Sequence, residues 1–245
     1  MPAENWLAAG WPAPARVRTL ATTRQGGVSQ APYASLNLGA HVGDAPDAVA
    51  ANRARLRDEL PAEPAWLNQV HGVAVADAAA LRGAAPDADA SFARAPGVVC
   101  AVMTADCLPV LLCDDAGRAV AAAHAGWRGL CDGVIEATVA AMALPPAGLM
   151  AWLGPAIGPD AFEVGAEVRQ AFLARAPAAA SAFIDIGEGK YLADIYALAR
   201  QRLQAAGVER VYGGDFCTVI DRERFFSYRR DRVTGRMASL IWLQD

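Results

Sequence analysis

The stretch from residue 97 to residue 130 constrains the fold more than any other part of the chain. Apolar runs over residues 98–103 and 109–113 have the length of buried strands. A turn at Gly117 separates the second run from residues 118–124, which are apolar from 119 to 123. The two runs on either side of this turn predict a β-hairpin, and the whole stretch predicts a buried sheet.

The remaining elements alternate between strands and helices. Strands are expected over residues 16–21, 66–75, 150–153 and 208–212, and a closing hairpin over 225–229 and 237–243. Helices are expected over residues 46–60, with Asp44 as N-cap, and over 127–142, 164–175 and 191–203, with a linker over 176–182. Because no internal repeat and no interdomain linker is found, the sequence predicts one α/β domain over residues 1–245 with mixed sheets.

Composition argues against several classes of protein. Of 245 residues, 54% are hydrophobic, which is enough for a substantial core. A net charge of −4 without a long basic run argues against nucleic-acid binding. The longest apolar run, residues 98–113, contains Asp106 and Pro109, so no membrane span is expected. Five irregularly spaced cysteines and the lack of an export signal in residues 1–6 predict reduced thiols and a cytoplasmic protein.

His71, Cys107 and His124 are the candidate functional residues. A glycine follows each histidine within two residues and leaves space for a ligand. Their spacing fits no zinc finger, so a site would require convergence in the folded protein. Two imidazoles and one thiolate would suit Zn²⁺, with copper as the competitor, and three protein ligands would leave one coordination position open.

Other interpretations of these residues stay open at this point. Cys107 can be a small core residue and His124 a hydrogen-bonded strand end. Asp106 can be a base, a hydrogen-bonding partner of a histidine or a turn residue. A Cys-His hydrolase is the rival chemistry, with Cys107 as nucleophile, a histidine as base and a backbone amide pocket near Gly126.

Longer motifs of the chain resemble one known family. They are residues 23–29 (TRQGGVS), 36–39 (LNLG), 68–72 (NQVHG), 104–110 (TADCLPV), 123–129 (AHAGWRG), 154–158 (GPAIG) and 225–230 (FFSYRR). In this order they resemble the laccase-domain purine nucleoside phosphorylase family, formerly called polyphenol oxidases. Thr23 is a mild departure, since serine is common there and threonine keeps the hydroxyl.

The resemblance implies a fold and an activity. The fold would be one α/β domain of mixed sheets packed between helices, of the cytotoxic-necrotizing-factor-like/laccase-domain type. The activity would be phosphorolysis of adenosine, inosine and methylthioadenosine to free base and (methylthio)ribose 1-phosphate, with adenosine deamination as a side activity. The alternatives are a copper-dependent polyphenol oxidase and a Cys-His hydrolase that acts on a cell-wall-related substrate. The family's metal ligands fall on His71, Cys107 and His124.

Phosphorolysis needs a cationic seat for phosphate and a way to neutralise the leaving base. Arg24, beside two glycines, and Arg128 are the candidate cations. Asn37 is expected to bind substrate, while Cys107, Asp106 and Arg128 are the candidate catalytic residues. The expected partners are purine nucleosides and phosphate, and the protein is expected to be a monomer.

Overall fold

Twelve strands form three sheets in residues 6–245, the part of the chain that the computed structural model describes. The strands are β1 (Val17–Ala21), β2 (Val75–Asp77), β3 (Ala90–Ala93), β4 (Cys100–Thr104), β5 (Leu108–Asp114), β6 (Val120–Ala125), β7 (Leu149–Leu153), β8 (Glu163–Gly165), β9 (Phe183–Gly187), β10 (Lys190–Ala193), β11 (Arg210–Gly213) and β12 (Met237–Leu243). The α-helices are α1 (Pro46–Arg57), α2 (Trp127–Asp132), α3 (Val134–Met142), α4 (Ala166–Arg175), α5 (Ile195–Ala205) and α6 (Tyr228–Asp231).

A six-stranded mixed sheet runs through the centre of the fold in the order β11-β7-β5-β6-β3-β2. Strands β5 and β6 form the antiparallel hairpin that the sequence predicts, with Leu108 opposite Ala125. Strand β7 is antiparallel to β5, and β11 is parallel to β7. A second, antiparallel sheet has the order β1-β12-β4, and a third has the order β8-β10-β9.

Side chains alternate along β5 between two apolar layers. Val110 and Leu112 belong to the core that also contains the buried faces of α2, α3 and α5. Leu111 and Cys113 pack towards the β1-β12-β4 sheet on the opposite side. The far face of that smaller sheet packs against α1 through Leu56. The order of layers is therefore helix, sheet, sheet, helix, which confirms the expected α/β class with mixed sheets between helices.

Residues 66–73 do not form the strand that the sequence predicts. The side chain of Gln69 instead accepts from the Met103 N–H at 2.7 Å and donates to the Met103 carbonyl at 2.8 Å. His71 has a φ of 61°, which no strand residue adopts. Because the Gln69 side chain occupies backbone groups of β4, this segment is an irregular loop with one isolated bridge, Asn68 to Asp87, and regular strand pairing begins at Val75.

The closing hairpin is also wrongly predicted. Strand β12 lies between β1 and β4, with Leu243 opposite Val17, and it does not pair with residues 225–229. That segment leads into the short helix α6, where the Ser227 hydroxyl accepts from the backbone N–H of Arg230 at 3.2 Å. The N-cap hydrogen bond of Ser227 therefore favours a helix where the apolar pattern predicts a strand.

Two predicted helices begin or end differently. Helix α1 has Ala45 as its N-cap, because the carboxylate of Asp44 accepts from Ser29 Oγ at 2.6 Å and from Asn37 Nδ2 at 2.9 Å. The apolar pattern over residues 127–142 is divided into α2 and α3 at Gly133, whose φ of 108° ends a helix.

The segment after residue 175 contains more regular structure than the sequence predicts. The expected linker over 176–182 contains a 3₁₀ helix, Pro177–Ala182, with two buried alanines. The expected helix over 191–203 begins only at Ile195, after Asp194 has accepted a capping hydrogen bond from the Ala197 N–H at 2.9 Å. Residues 191–193 belong to β10, so the apolar spacing there was wrongly interpreted as the first turn of the helix.

Within residues 6–245, no helix combines the length and the apolar character that a membrane crossing requires. Residues 1–5 lie outside the described part of the chain, so the domain boundaries 1–245 stay a prediction.

Candidate metal centre

The structure brings the three predicted ligands together. One donor atom each from His71, Cys107 and His124 lies within 4.8 Å of the other two. Cys107 Sγ is 3.8 Å from His71 Nε2, and the two imidazole rings meet edge to face with centroids 4.8 Å apart. The cluster could therefore hold a metal ion, and its donors are those that Zn²⁺ and copper accept.

Each ligand comes from a different type of element. His124 lies near the end of β6 and is buried, whereas His71 lies in the irregular loop and is exposed. Cys107 occupies the turn between β4 and β5 and is partly buried. Backbone pairing in β6 thus fixes His124, the turn before β5 supplies Cys107, and the irregular loop supplies His71.

Asp89, just before β3, orients both histidines, and sequence reasoning missed it. Its Oδ1 is 2.7 Å from His124 Nδ1 and accepts from the His71 backbone N–H at 3.0 Å. Its Oδ2 accepts from the N–H groups of Val70 and Gly72 at 3.1 and 2.7 Å. Because Asp89 occupies Nδ1 of His124, the other ring nitrogen is left for a metal, an arrangement common around ligating histidines.

The charges in the cluster shift the pKa values of Cys107 and His124 in opposite directions. Burial raises the pKa of the Cys107 thiol, but the charge and hydrogen bonds of His124 and then His71 outweigh it and lower that pKa below its usual range. Burial lowers the pKa of His124, yet the Cys107 thiolate and Asp89 together raise it. The two histidines therefore favour the thiolate form of Cys107, which is the form of cysteine that binds metal.

Two glycines allow the loop and the hairpin to meet. A Cβ at Gly126 would lie 2.7 Å from His71 Cδ2 and 3.2 Å from Cys107 Sγ. A Cβ at Gly129 would lie 2.8 Å from the carbonyl oxygen of Gly72. Both distances are below van der Waals contact, so the glycines of the AHAGWRG motif are required by the close approach of the His71 loop.

Two cavities share the wall formed by His71, Ala105, Cys107 and Tyr228. The Arg236 cavity has a volume of about 360 Å³ and is also lined by His41, Leu67, Asn68, Gln69, Met103, His124 and Arg236. The Arg128 cavity has a volume of about 280 Å³ and is also lined by Asp106, Trp127, Arg128, Ile157, Phe162, Ile195, Arg229 and Arg232. Since both open on the metal ligands, two small molecules could reach the cluster from different sides.

Arg128, which the sequence predicts as a catalytic cation, lies beside the cluster. It is exposed, lines the Arg128 cavity and holds its guanidinium 4.4 Å from the ring centroid of Trp127. Sequence reasoning missed the neighbouring Arg229 and Arg232, although the dense run of arginines over residues 229–236 was a usable signal.

Asp106 contacts neither histidine of the cluster. Its Oδ1 accepts from Thr218 Oγ1 at 2.6 Å, and its Oδ2 accepts from the Arg229 backbone N–H at 2.6 Å. The interpretation as a histidine partner is thus corrected, because Asp89 has that position. With both oxygens engaged, Asp106 connects the Cys107 turn to the segments that carry Thr218 and Arg229.

Arg24 lies outside both cavities. Its Nε donates to the Ala34 carbonyl at 3.0 Å and its Nη1 to the Arg222 carbonyl at 3.1 Å, in a separate groove. The guanidinium also lies 4.8 Å from the ring centroid of Phe226. These contacts make Arg24 a cross-link between loops, so the phosphate seat expected beside Gly26 and Gly27 is not at the cluster.

Asn37 also has no access to the cavities. It is fully buried, and its Nδ2 donates to Asp44 and to the Gly39 carbonyl. Its Oδ1 accepts from the N–H groups of Gly39 and Arg236 at 2.9 and 2.8 Å. With every amide donor and acceptor occupied, Asn37 positions other residues and does not contact a substrate directly.

The chain is similar to known proteins over almost its whole length. The family model described as multi-copper polyphenol oxidoreductase laccase matches residues 18–244. A purine nucleoside phosphorylase of Pseudomonas aeruginosa is 60% identical over 98% of this chain and 99% of its own length. The purine nucleoside phosphorylase YfiH of Escherichia coli K12 is 61% identical over 95% of this chain and 96% of its own length.

Solved structures give the same answer for the fold. A Neisseria meningitidis protein is 61% identical and superposes with a TM-score of 0.97, covering 99% of this chain and 100% of that one. YlmD of Geobacillus stearothermophilus is 32% identical, with a TM-score of 0.90 over 100% and 98% of the two chains. With the layered fold, the His-Cys-His cluster and these similarities in agreement, the chain belongs to the laccase-domain family of multi-copper polyphenol oxidoreductases, whose relatives here are named purine nucleoside phosphorylases.

Proposed function

We propose that this protein is a metal-dependent purine nucleoside phosphorylase that cleaves adenosine, inosine and methylthioadenosine. The observation that carries the proposal is the position of the His71–Cys107–His124 cluster in the wall between two cavities. Phosphorolysis brings two reactants, a nucleoside and phosphate, to one carbon atom. Two cavities that meet at one cluster and contain arginines suit such a reaction.

The reaction exchanges one bond at the sugar for another. A phosphate oxygen forms a bond to C1′, the bond from C1′ to the purine nitrogen breaks, and its electron pair leaves with the base, which takes up a proton. A metal ion held by His71, Cys107 and His124 would supply a positive charge that stabilises the negative charge of a reactant.

The chain's own residues hold the reactants and orient the ligands. Asp89 fixes the ring of His124 and the backbone of His71, so the cluster is arranged before substrate arrives. Arginines in both cavities attract anions and the developing negative charge. Adenosine deamination belongs to the same proposal, because a metal site with an open coordination position can activate water. A zinc-containing monomer in the cytoplasm, where Cys107 stays reduced, completes it.

A cysteine hydrolase is the second candidate, and one observation favours it. Cys107, His124 and Asp89 stand in the order nucleophile, base and orienting carboxylate, with 2.7 Å between His124 Nδ1 and Asp89 Oδ1. Such a triad activates a thiolate without metal. In that enzyme His71 would have no chemical role, which separates the two candidates.

The test is inosine cleavage by purified protein with and without phosphate, combined with elemental analysis. We expect base release that requires phosphate, about one zinc per chain, and loss of both in His71→Ala and Cys107→Ala. A Cys217→Ala variant is the matched control, since Cys217 is a free, partly buried cysteine outside both cavities. Base release without phosphate, or a His71→Ala variant that keeps full activity after chelation, would support the hydrolase instead.

Phenol oxidation is tested separately. Protein loaded with zinc and protein loaded with copper are compared on a phenolic substrate, with inosine cleavage measured in parallel. We expect oxidation only after copper loading, which would identify it as chemistry of the added metal. Oxidation by the protein as purified, without inosine cleavage, would contradict the phosphorylase proposal.

A further inference from the structure

Arg236 is a partly buried cation that no carboxylate neutralises. Its Nη1 donates to the carbonyls of Thr234 and Gly235, both at 3.1 Å. Among residues 6–245, no Asp or Glu forms a salt bridge with it. Burial lowers the pKa of Arg236, against the opposing charges of Cys107 and Asp106. A guanidinium removed from water without a carboxylate bonded to it is unfavourable, so Arg236 would stabilise an anionic ligand in the cavity that it lines.

The LNLG motif holds Arg236 in this position. Asn37 Oδ1 accepts from the Arg236 backbone N–H at 2.8 Å and also from Gly39 N–H at 2.9 Å. A Cβ at Gly39 would lie 2.8 Å from Arg236 Cγ, so only glycine allows the side chain to pass. A buried amide and a glycine that both serve one arginine indicate that its placement is specific.

His41 provides a second donor in the same cavity. Burial lowers the pKa of His41, and the charges of Arg236 and Arg53 lower it further, so its imidazole is neutral at physiological pH. A neutral imidazole donates one N–H without adding charge. The cavity therefore offers a guanidinium and a neutral donor on the same side of the cluster.

Two of the three arginines in the Arg128 cavity are solvated. Arg128 and Arg232 are exposed, so water solvates their charges. Arg229 Nη1 already donates to the Glu163 carbonyl at 2.9 Å. Arg229 is partly buried like Arg236 and also donates to carbonyls, but it lies in the cavity that His124 does not line, whereas Arg236 shares its cavity with His71, Cys107 and His124.

We propose that inorganic phosphate binds in the Arg236 cavity, with the Arg236 guanidinium as its anchor and His41 as an additional donor. The proposal rests on the proposed function and assigns the phosphate side of the reaction. A planar guanidinium matches two oxygens of a phosphate, and the cavity of about 360 Å³ has ample room for this ion. The nucleoside then approaches Cys107 from the Arg128 cavity.

The experiment measures phosphate binding and turnover separately. Inorganic phosphate is titrated calorimetrically into the zinc-loaded wild type and into Arg236→Gln, Arg236→Lys and His41→Asn, with thermal unfolding as a check on folding. We expect phosphate affinity to fall by roughly 10- to 100-fold in Arg236→Gln, less in Arg236→Lys and by a few-fold in His41→Asn. In turnover, the KM for phosphate should rise by a similar factor while the KM for inosine changes by less than about two-fold.

Arg18→Gln is the matched control, because Arg18 is exposed on β1 and its loss removes the same charge. Wild-type phosphate affinity and phosphate KM in Arg236→Gln and Arg236→Lys would overturn the proposal, as would loss of phosphate binding only in Arg128→Gln and Arg232→Gln. If phosphate binding depends on Arg236 but inosine is not cleaved, the anion site stands and the proposed function fails.

Discussion

The two histidines of the cluster are held in opposite ways by one carboxylate. His124 is buried on a paired strand, and Asp89 binds its ring. His71 is exposed on an irregular loop, and Asp89 binds only its backbone. The ring of His124 is therefore fixed by the core, whereas the ring of His71 is directed by loop conformation and by contact with Gly126. We therefore expect His124 to contribute to the stability of the fold and His71 to contribute little.

The largest contrast is expected between His124→Ala and His71→Ala. Both variants should lose bound zinc, because each removes one of three ligands. In the metal-free state, His124→Ala should also lose about 2 kcal/mol of unfolding free energy, since it removes a hydrogen bond to a buried carboxylate. His71→Ala should stay within about 0.5 kcal/mol of the wild type, as expected for an exposed side chain. Denaturant unfolding measures both; equal losses would refute the contrast.

Zinc affinity should depend steeply on pH. The pKa of His124 is raised above its usual range, so in the metal-free protein this imidazole keeps a proton that zinc must displace. Affinity should rise about ten-fold per pH unit up to that pKa and fall correspondingly on acidification. Competition with a chelator from pH 6 to 8 measures the slope. An affinity that is constant over this range would show that His124 is already neutral.

Asp89→Asn separates the charge of the residue from its shape. The amide keeps the volume but accepts fewer hydrogen bonds and no longer stabilises a charged His124. We expect zinc affinity to fall by roughly 10- to 100-fold and its pH dependence near neutrality to flatten. Asp87→Asn is the control, because that carboxylate accepts from Asn68 and not from a ligand. Equal effects of the two substitutions would show that Asp89 has no specific role.

The smallest of these effects is expected for Gly126→Ala. The new Cβ would press on the ring of His71, which must move because the loop is the softer partner. Zinc affinity should fall by a few-fold, about 1 kcal/mol, with little change in unfolding free energy. Gly10→Ala is the control, since nothing lies within 4 Å of its added Cβ. If the unfolding free energy falls by more than the free energy of zinc binding, the β5–β6 hairpin and not the His71 loop takes up the strain, which would contradict this prediction.

The sequence predicts the central hairpin and the convergence on Cys107 better than the segments that complete the site. Uninterrupted apolar runs at strand length leave β5 and β6 few alternatives, and the family motifs contain the three residues that the fold brings together. The loop that carries His71 was misjudged because its order depends on one side chain, Gln69, bonding to a distant strand. Such a bond has no periodic signature in the sequence.

The supporting residues were missed for a related reason. Asp89 lies at the edge of an alanine-rich loop, and Arg236 follows an ordinary turn, so neither stands out by type or spacing. Asn37 was predicted to bind substrate, but its amide is engaged within the fold and accepts a hydrogen bond from the backbone of Arg236, 199 positions away. Contacts of this range become visible only when the layers are assembled.

The position of β12 between β1 and β4 has a consequence for folding kinetics. Pairing Val17 with Leu243 closes a loop of nearly the whole chain, which is slow because its entropy must be lost before contacts compensate. The local β5–β6 hairpin can form early, whereas the cluster needs Asp89, the His71 loop and the neighbouring strands. We therefore expect zinc capture to report the last stage of folding, lagging behind the formation of secondary structure in a refolding experiment.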